Sequence, residues 1–168
     1  MNRIARFEKV SYERFRTDLP ERIDLDEKQI EEAYRQLKLP QRATAGSAGY
    51  DFTVPFEIEL APGEGCRIPS AVRCRIKDGW VLQIYPRSSL GFKYRLQLDN
   101  TVGIIDADYY HADNEGHIIV AVRNNGDKTV TLKQGDRFVQ GLFLPFGITE
   151  DDCAENVRTG GFGSTDRQ

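Results

Sequence analysis

Imidazoles are scarce in this chain: His111 and His117 are its two histidines, too few for a histidine-rich metal cluster. Thiols do not fill the gap. Cys66, Cys74 and Cys153 are odd in number and nowhere spaced as C-x-x-C, which supports neither a disulfide framework nor a structural zinc site. No apolar run is long enough to span a bilayer, and the opening residues, M-N-R-I-A-R-F-E-K-V, are charged throughout and lack an apolar stretch for export. The expectation is a soluble, cytoplasmic chain with no membrane contact. Strand-helix alternation is missing as well, as is G-x-x-x-x-G-K-[ST], so neither a Rossmann nor a P-loop architecture is expected. Nor is there an excess of positive charge. A net charge of -3 argues against broad, direct nucleic-acid binding, although a local basic site can still hold a small anion.

What is present reads as one globular domain, since 168 residues at 39% hydrophobic are enough to bury a core. Ile4 to Val10 alternate weakly and predict a strand running into a polar connector. One convincing helix follows. Asp24 with Glu27 forms a capping-box pattern, Ile30, Ala33, Tyr34 and Leu37 recur on one face, and Leu39-Pro40 ends the run. From Pro40 the grain changes to short alternating segments: Phe56 to Leu60, Val72 to Ile76, Trp80 to Ile84, Tyr94 to Leu98, Val102 to Ile105, His117 to Val122, Val130 to Leu132 and Phe138 to Leu144. Many short strands at near-regular spacing predict an all-β sandwich, jelly roll or barrel.

Several stretches interrupt this pattern. Leu98 to Tyr110, L-D-N-T-V-G-I-I-D-A-D-Y-Y, sets Asp106 and Asp108 directly behind a buried-strand sequence, where a carboxylate can be held rigidly and partly desolvated as a general base requires. The same residues also fit a turn that simply leaves a strand. A-G-S-A-G-Y-D-F, residues 45–52, is either a strand-entry loop or a site of close backbone approach, with Asp51 offering a hard oxygen to a cation or its water. P-R-S-S-L-G-F-K, residues 86–93, combines the planar fork of Arg87 with the hydroxyls of Ser88 and Ser89 and suits a phosphate. G-D-R-F-V-Q, residues 135–140, is a turn entering a strand, with Gln140 as an inward polar group. The tail from Arg158, R-T-G-G-F-G-S-T-D-R-Q, cannot build a core; it is a disordered terminus or a flap whose Phe162 stacks on a flat ring.

In this order and at these separations, the stretches resemble the five motifs of the homotrimeric dUTPase family, from about Pro40 to the C-terminus. The resemblance implies an all-β jelly roll or distorted barrel with one N-terminal helix. It divides the chain into a strand-and-helix extension (1–40), a β domain (41–157) and a glycine-rich flap (158–168). It further implies homotrimers with shared active sites that hydrolyse dUTP to dUMP and pyrophosphate with Mg²⁺, limiting uracil in DNA and supplying dUMP for thymidylate synthesis. By position, Asp106 would activate the attacking water and Asp51 would hold the metal through its water shell. Arg87, Ser88, Ser89 and Gln140 would line the triphosphate, Asn100 and the backbone at Gly103 would read uracil, and Tyr109 would pack under the deoxyribose. Arg158, Phe162, Gly163 and Ser164 would arrive on the flap.

Departures from the family pattern are visible. Ser89 and Asp166 stand where glycine is usual, the interval from Arg158 to Phe162 is one residue short, Y-H-A-D-N-E lengthens the loop after Tyr109, and the first forty residues exceed the usual short strand. A competing family of the same fold, dCTP deaminase, shares R-S-S-L but requires a glutamate on the strand where this chain has Ala121, so deamination is rejected. A nonenzymatic binding protein would not need Asp106.

Overall fold

The structure, a computed structural model, describes residues 2–156 together with Arg158 and Gly160. β1 (Ala5–Lys9) leads into two helices, α1 (Tyr12–Thr17) and α2 (Glu27–Gln36). β2 (Gln41–Arg42), β3 (Tyr50–Thr53), β4 (Ile58–Leu60), β5 (Gly65–Pro69), β6 (Val72–Ile76) and β7 (Trp80–Pro86) then precede a short helix, α3 (Ser88–Tyr94). β8 (Leu96–Leu98), β9 (Gly103–Ile105), a 3-10 turn (Ala107–His111), β10 (Ile119–Asn124), β11 (Val130–Leu132) and β12 (Arg137–Pro145) follow. Pairing is antiparallel. The largest sheet runs β2-β3-β12-β7-β9, a second runs β5-β10-β8, and β4-β11 and β1-β6 form two-stranded ribbons. Sequence neighbours seldom lie side by side, which is the jelly-roll habit, and the sheets remain separate rather than closing into one barrel.

Alternation along the strands builds the core, because successive side chains point to opposite faces. Phe52, Leu60, Ile68, Leu82, Ile84, Leu96 and Phe138 are fully buried between the sheets. Gly141 lets β12 cross this core, since a Cβ there would lie 2.8 Å from Leu82 Cδ1.

The expected helix is α2, with Ala33 and Leu37 buried, but its capping box is Asp26 with Gln29 rather than Asp24 with Glu27. The Gln29 N–H donates to Asp26 Oδ1 at 2.9 Å and the Asp26 N–H to Gln29 Oε1 at 2.8 Å, so the helix starts one residue beyond Asp26. Where a polar connector was expected stands α1, capped by Ser11 and anchored by the fully buried Phe15. Six residues are too few to show a helical period. Tyr94 belongs to α3, not to a strand, because Arg95 turns left-handed (φ 53°) and delays β8 to Leu96. β10 starts at Ile119 rather than His117, whose ring is drawn aside by partners outside the ladder.

Candidate active site

Three groups of residues stand out. In the first, strand register does the gathering: Gln140 on β12 sits opposite Asp51 on β3 and Tyr85 on β7, and Arg87 follows directly from β7. Because Phe52 and Val139 face the core, Asp51 and Gln140 face away from it. The Asp51 carboxylate, 12% exposed, pairs with Arg87 Nε at 3.2 Å and Arg137 Nη1 at 3.1 Å. Asp51, Arg87, Ser88, Ser89 and Gln140 line a cleft of about 540 Å³. Gly49 packs directly against the Gln140 amide, since a Cβ there would lie 2.6 Å from Gln140 Oε1. Arg137 was not among the expected site residues; its signal was its place in G-D-R-F-V-Q, on the strand that carries Gln140.

The second group lies at the end of β9. Asn100, Gly103, Ile104 and Ile105 face Ile118 to Ala121 across a mainly apolar cleft of about 340 Å³. A tight turn shapes its rim: the Val102 N–H donates to the Asn100 carbonyl at 2.7 Å while Thr101 takes φ 66°. Gly103 brings the backbone against Ile84, whose Cβ would be 3.1 Å from an added Cβ. This cleft and the Asp51 cleft share no lining residue.

Asp106, Asp108 and Tyr109 make the third group. Asp106 precedes the 3-10 turn but its side chain caps nothing, which leaves the carboxylate open to other partners. Arg158 Nη2 meets it at 3.1 Å, and Arg158 Nε lies 3.4 Å from Asp108. The expected partial desolvation of Asp106 is slight within one chain, since its side chain is 49% exposed. Tyr109, by contrast, is buried at 4% exposure; its hydroxyl donates to the His117 carbonyl at 2.8 Å and accepts from Asn114 Nδ2 at 2.7 Å. The Arg158 guanidinium lies 5.5 Å from the Tyr109 ring centre. His117 and Asn114 were not anticipated as its neighbours. Phe162, Gly163 and Ser164 lie outside the described residues.

The arrangement offers an anion cradle, an apolar slot edged by backbone polar groups, and an open carboxylate at a strand end. The family profile described as dUTPase matches residues 35–166. The chain belongs to the dUTPase family. The deoxyuridine 5'-triphosphate nucleotidohydrolase of Lactococcus lactis is 44% identical over 132 residues, spanning 77% of this chain and 88% of that protein. The protein of the same name from Shigella sonnei is 36% identical over 142 residues, spanning 80% and 91%. The crystal structure of a dUTPase from Streptococcus mutans superposes with a TM-score of 0.64 at 37% identity, covering 86% of this chain and 98% of that one. No helix among the described residues is long and apolar enough to cross a membrane.

Proposed function

We propose that the protein hydrolyses dUTP to dUMP and pyrophosphate. Asp106 takes a proton from water as the oxygen attacks the α-phosphorus; the bond to the α–β bridging oxygen breaks and pyrophosphate leaves. The observation that carries this reading is the Asp106 carboxylate, presented at the end of β9 with no capping duty and met by a tail arginine. Arg87, Ser88, Ser89 and Gln140 hold the triphosphate, because a guanidinium fork and hydroxyls match phosphate oxygens and the cleft excludes part of the solvent that would weaken them. Asn100 and the backbone at Gly103 read uracil in the apolar slot, Tyr109 packs under the deoxyribose where a 2′-hydroxyl would collide, and Arg158 grips the γ-phosphate.

Among the described residues no cluster of His, Cys, Asp or Glu could enclose a metal. A Mg²⁺ ion carried on phosphates needs less, since it keeps several waters and takes one or two carboxylates. Asp51 fits that need: each of its oxygens meets one arginine and retains a lone pair for a metal-bound water. When bound, the ion neutralises charge on the triphosphate.

The separation of the two clefts supports a homotrimer in which neighbouring chains complete each site. Such an enzyme keeps uracil out of DNA and supplies dUMP for thymidylate synthesis. Asp106→Asn tests the assignment. It is expected to keep dUTP affinity while turnover falls about 10²–10⁴-fold, the usual worth of a positioned general base; unchanged pyrophosphate release would refute it.

A further inference from the structure

We infer that the two stretches by which this chain exceeds its family's pattern, the N-terminal segment around α1 and the loop after Tyr109, form one clasp that fixes the Tyr109 ring. Asn114, His117 and Asp18 are then positioning residues for sugar selection. The inference rests on the proposed role of Tyr109.

The contacts run outward from Tyr109. Its hydroxyl is engaged on both sides, donating to the His117 carbonyl and accepting from Asn114. A buried phenol held as donor and acceptor has one favourable orientation, because turning away leaves polar atoms unsatisfied. Both partners sit on the loop, not on the sheet ladder. The loop folds closely over the tyrosine backbone: Gly116 takes φ 67°, and a Cβ there would lie 2.6 Å from the Tyr109 carbonyl oxygen. Glu115 also takes a positive φ of 60°, so the loop needs an outside hold.

α1 supplies that hold at both ends. At its start, Glu115 Oε2 accepts the Ser11 N–H at 2.8 Å and Glu115 Oε1 the Ser11 hydroxyl at 2.6 Å. At its end, Asp18 Oδ2 lies 2.6 Å from His117 Nδ1. The His117 ring is fully buried, and its Nε2 accepts the Ala71 N–H at 2.8 Å, which leaves Nδ1 as the protonated nitrogen that donates to Asp18. The family profile begins at residue 35, so Ser11 and Asp18 lie outside the part of the chain that it matches. A six-residue helix has too few internal bonds to persist alone. Its order and the loop's order are mutual.

The test measures pyrophosphate release from dUTP and from UTP by the full chain, with thermal melts alongside. Asn114→Ala is expected to lower the dUTP/UTP ratio of kcat/KM about three- to tenfold, the worth of one hydrogen bond. Asp18→Ala should move the ratio the same way from the far side of the clasp. In a Tyr109→Phe background both substitutions should leave the ratio unchanged, because no hydroxyl remains to be positioned. A merely structural role predicts otherwise. Lowered melts with an unaltered ratio, or the same drop in the Tyr109→Phe background, would overturn the clasp. If Asp18→Ala does not fold, Glu115→Gln at the surface end makes the same comparison. A wild-type chain that releases no pyrophosphate from dUTP fells the proposed function and the clasp together; wild-type hydrolysis with variant ratios unchanged fells the clasp alone.

Discussion

The Asp51 cleft and the α1 clasp solve the same problem, placing polar side chains, by opposite means. In the cleft, backbone ladders set the positions: Asp51 and Gln140 are cross-strand partners and Arg87 is one residue beyond the ladder. Their side chains face the cleft, where a ligand can reach the Asp51–Arg87 pair. In the clasp, side chains do the placing, through bonds between residues 99 and 104 positions apart in the chain, and are occupied with one another. The difference teaches where damage will appear. Substitutions in the cleft are expected to remove function from a stable fold, and substitutions in the clasp to remove stability first.

The sharpest way to break that comparison is to empty the clasp's anchor. Phe15 is fully buried beneath α1, its ring centre 5.7 Å from that of Tyr34. Phe15→Ala should cost about 3–5 kcal/mol, the usual toll of truncating a buried aromatic ring. At about 2–4 °C per kcal/mol for a chain of this size, the melt should fall by roughly 6–20 °C. A melt within about 2 °C of wild type would show that α1 does not anchor the extension.

Arg87→Ala, in the cleft, should do the reverse. Removing one phosphate-binding fork is expected to lower kcat/KM for dUTP about 10²–10³-fold. Stability should move by no more than about 1 kcal/mol, because Arg87 is partly exposed and Arg137 stays with Asp51. A large fall in the melt with modest loss of activity would place Arg87 among structural residues and erase the contrast.

The same contrast governs what was legible in the sequence. Strand alternation around Leu60, Leu82 and Phe138 was readable because both faces of each strand announce their environment every second residue. The cleft residues were readable as short stretches, since register places them by local pattern. The clasp was not. His117 reads as the start of a strand, and only Asp18, far away in sequence, and the Ala71 N–H explain its ring. α1 and α3 were missed because six and seven residues carry less than two helical turns of signal. Asp24 and Asp26 both make plausible caps, and the reciprocal bond from Gln29 decides between them.

The smallest expected effect separates the regions by pH. Burial holds the His117 imidazole below its ordinary value; the hydrogen bond and charge of Asp18 oppose that, Arg14 adds to it and Glu115 opposes it. As pH falls, the unfolded chain takes up this proton first, near the ordinary value of 6.5, while the folded chain does not. Stability from the neutral buried ring is therefore complete above about pH 6.5 and declines below it, until the folded value is passed. The slope contributed by one proton cannot exceed about 1.4 kcal/mol per pH unit. Glu8 and Glu115, lowered from 4.5, contribute stability above that value and begin to lose it only as the pH falls further, so the interval from pH 7 to 5 isolates the histidine. Denaturant melts of wild type should weaken across that interval, and those of His117→Gln should weaken less from a lower starting stability. Arg87→Ala should follow the wild-type slope. Equal slopes for wild type and His117→Gln would mean that the ring charges as readily inside the fold as outside it, and the clasp would then lack the dry interior on which its rigidity depends.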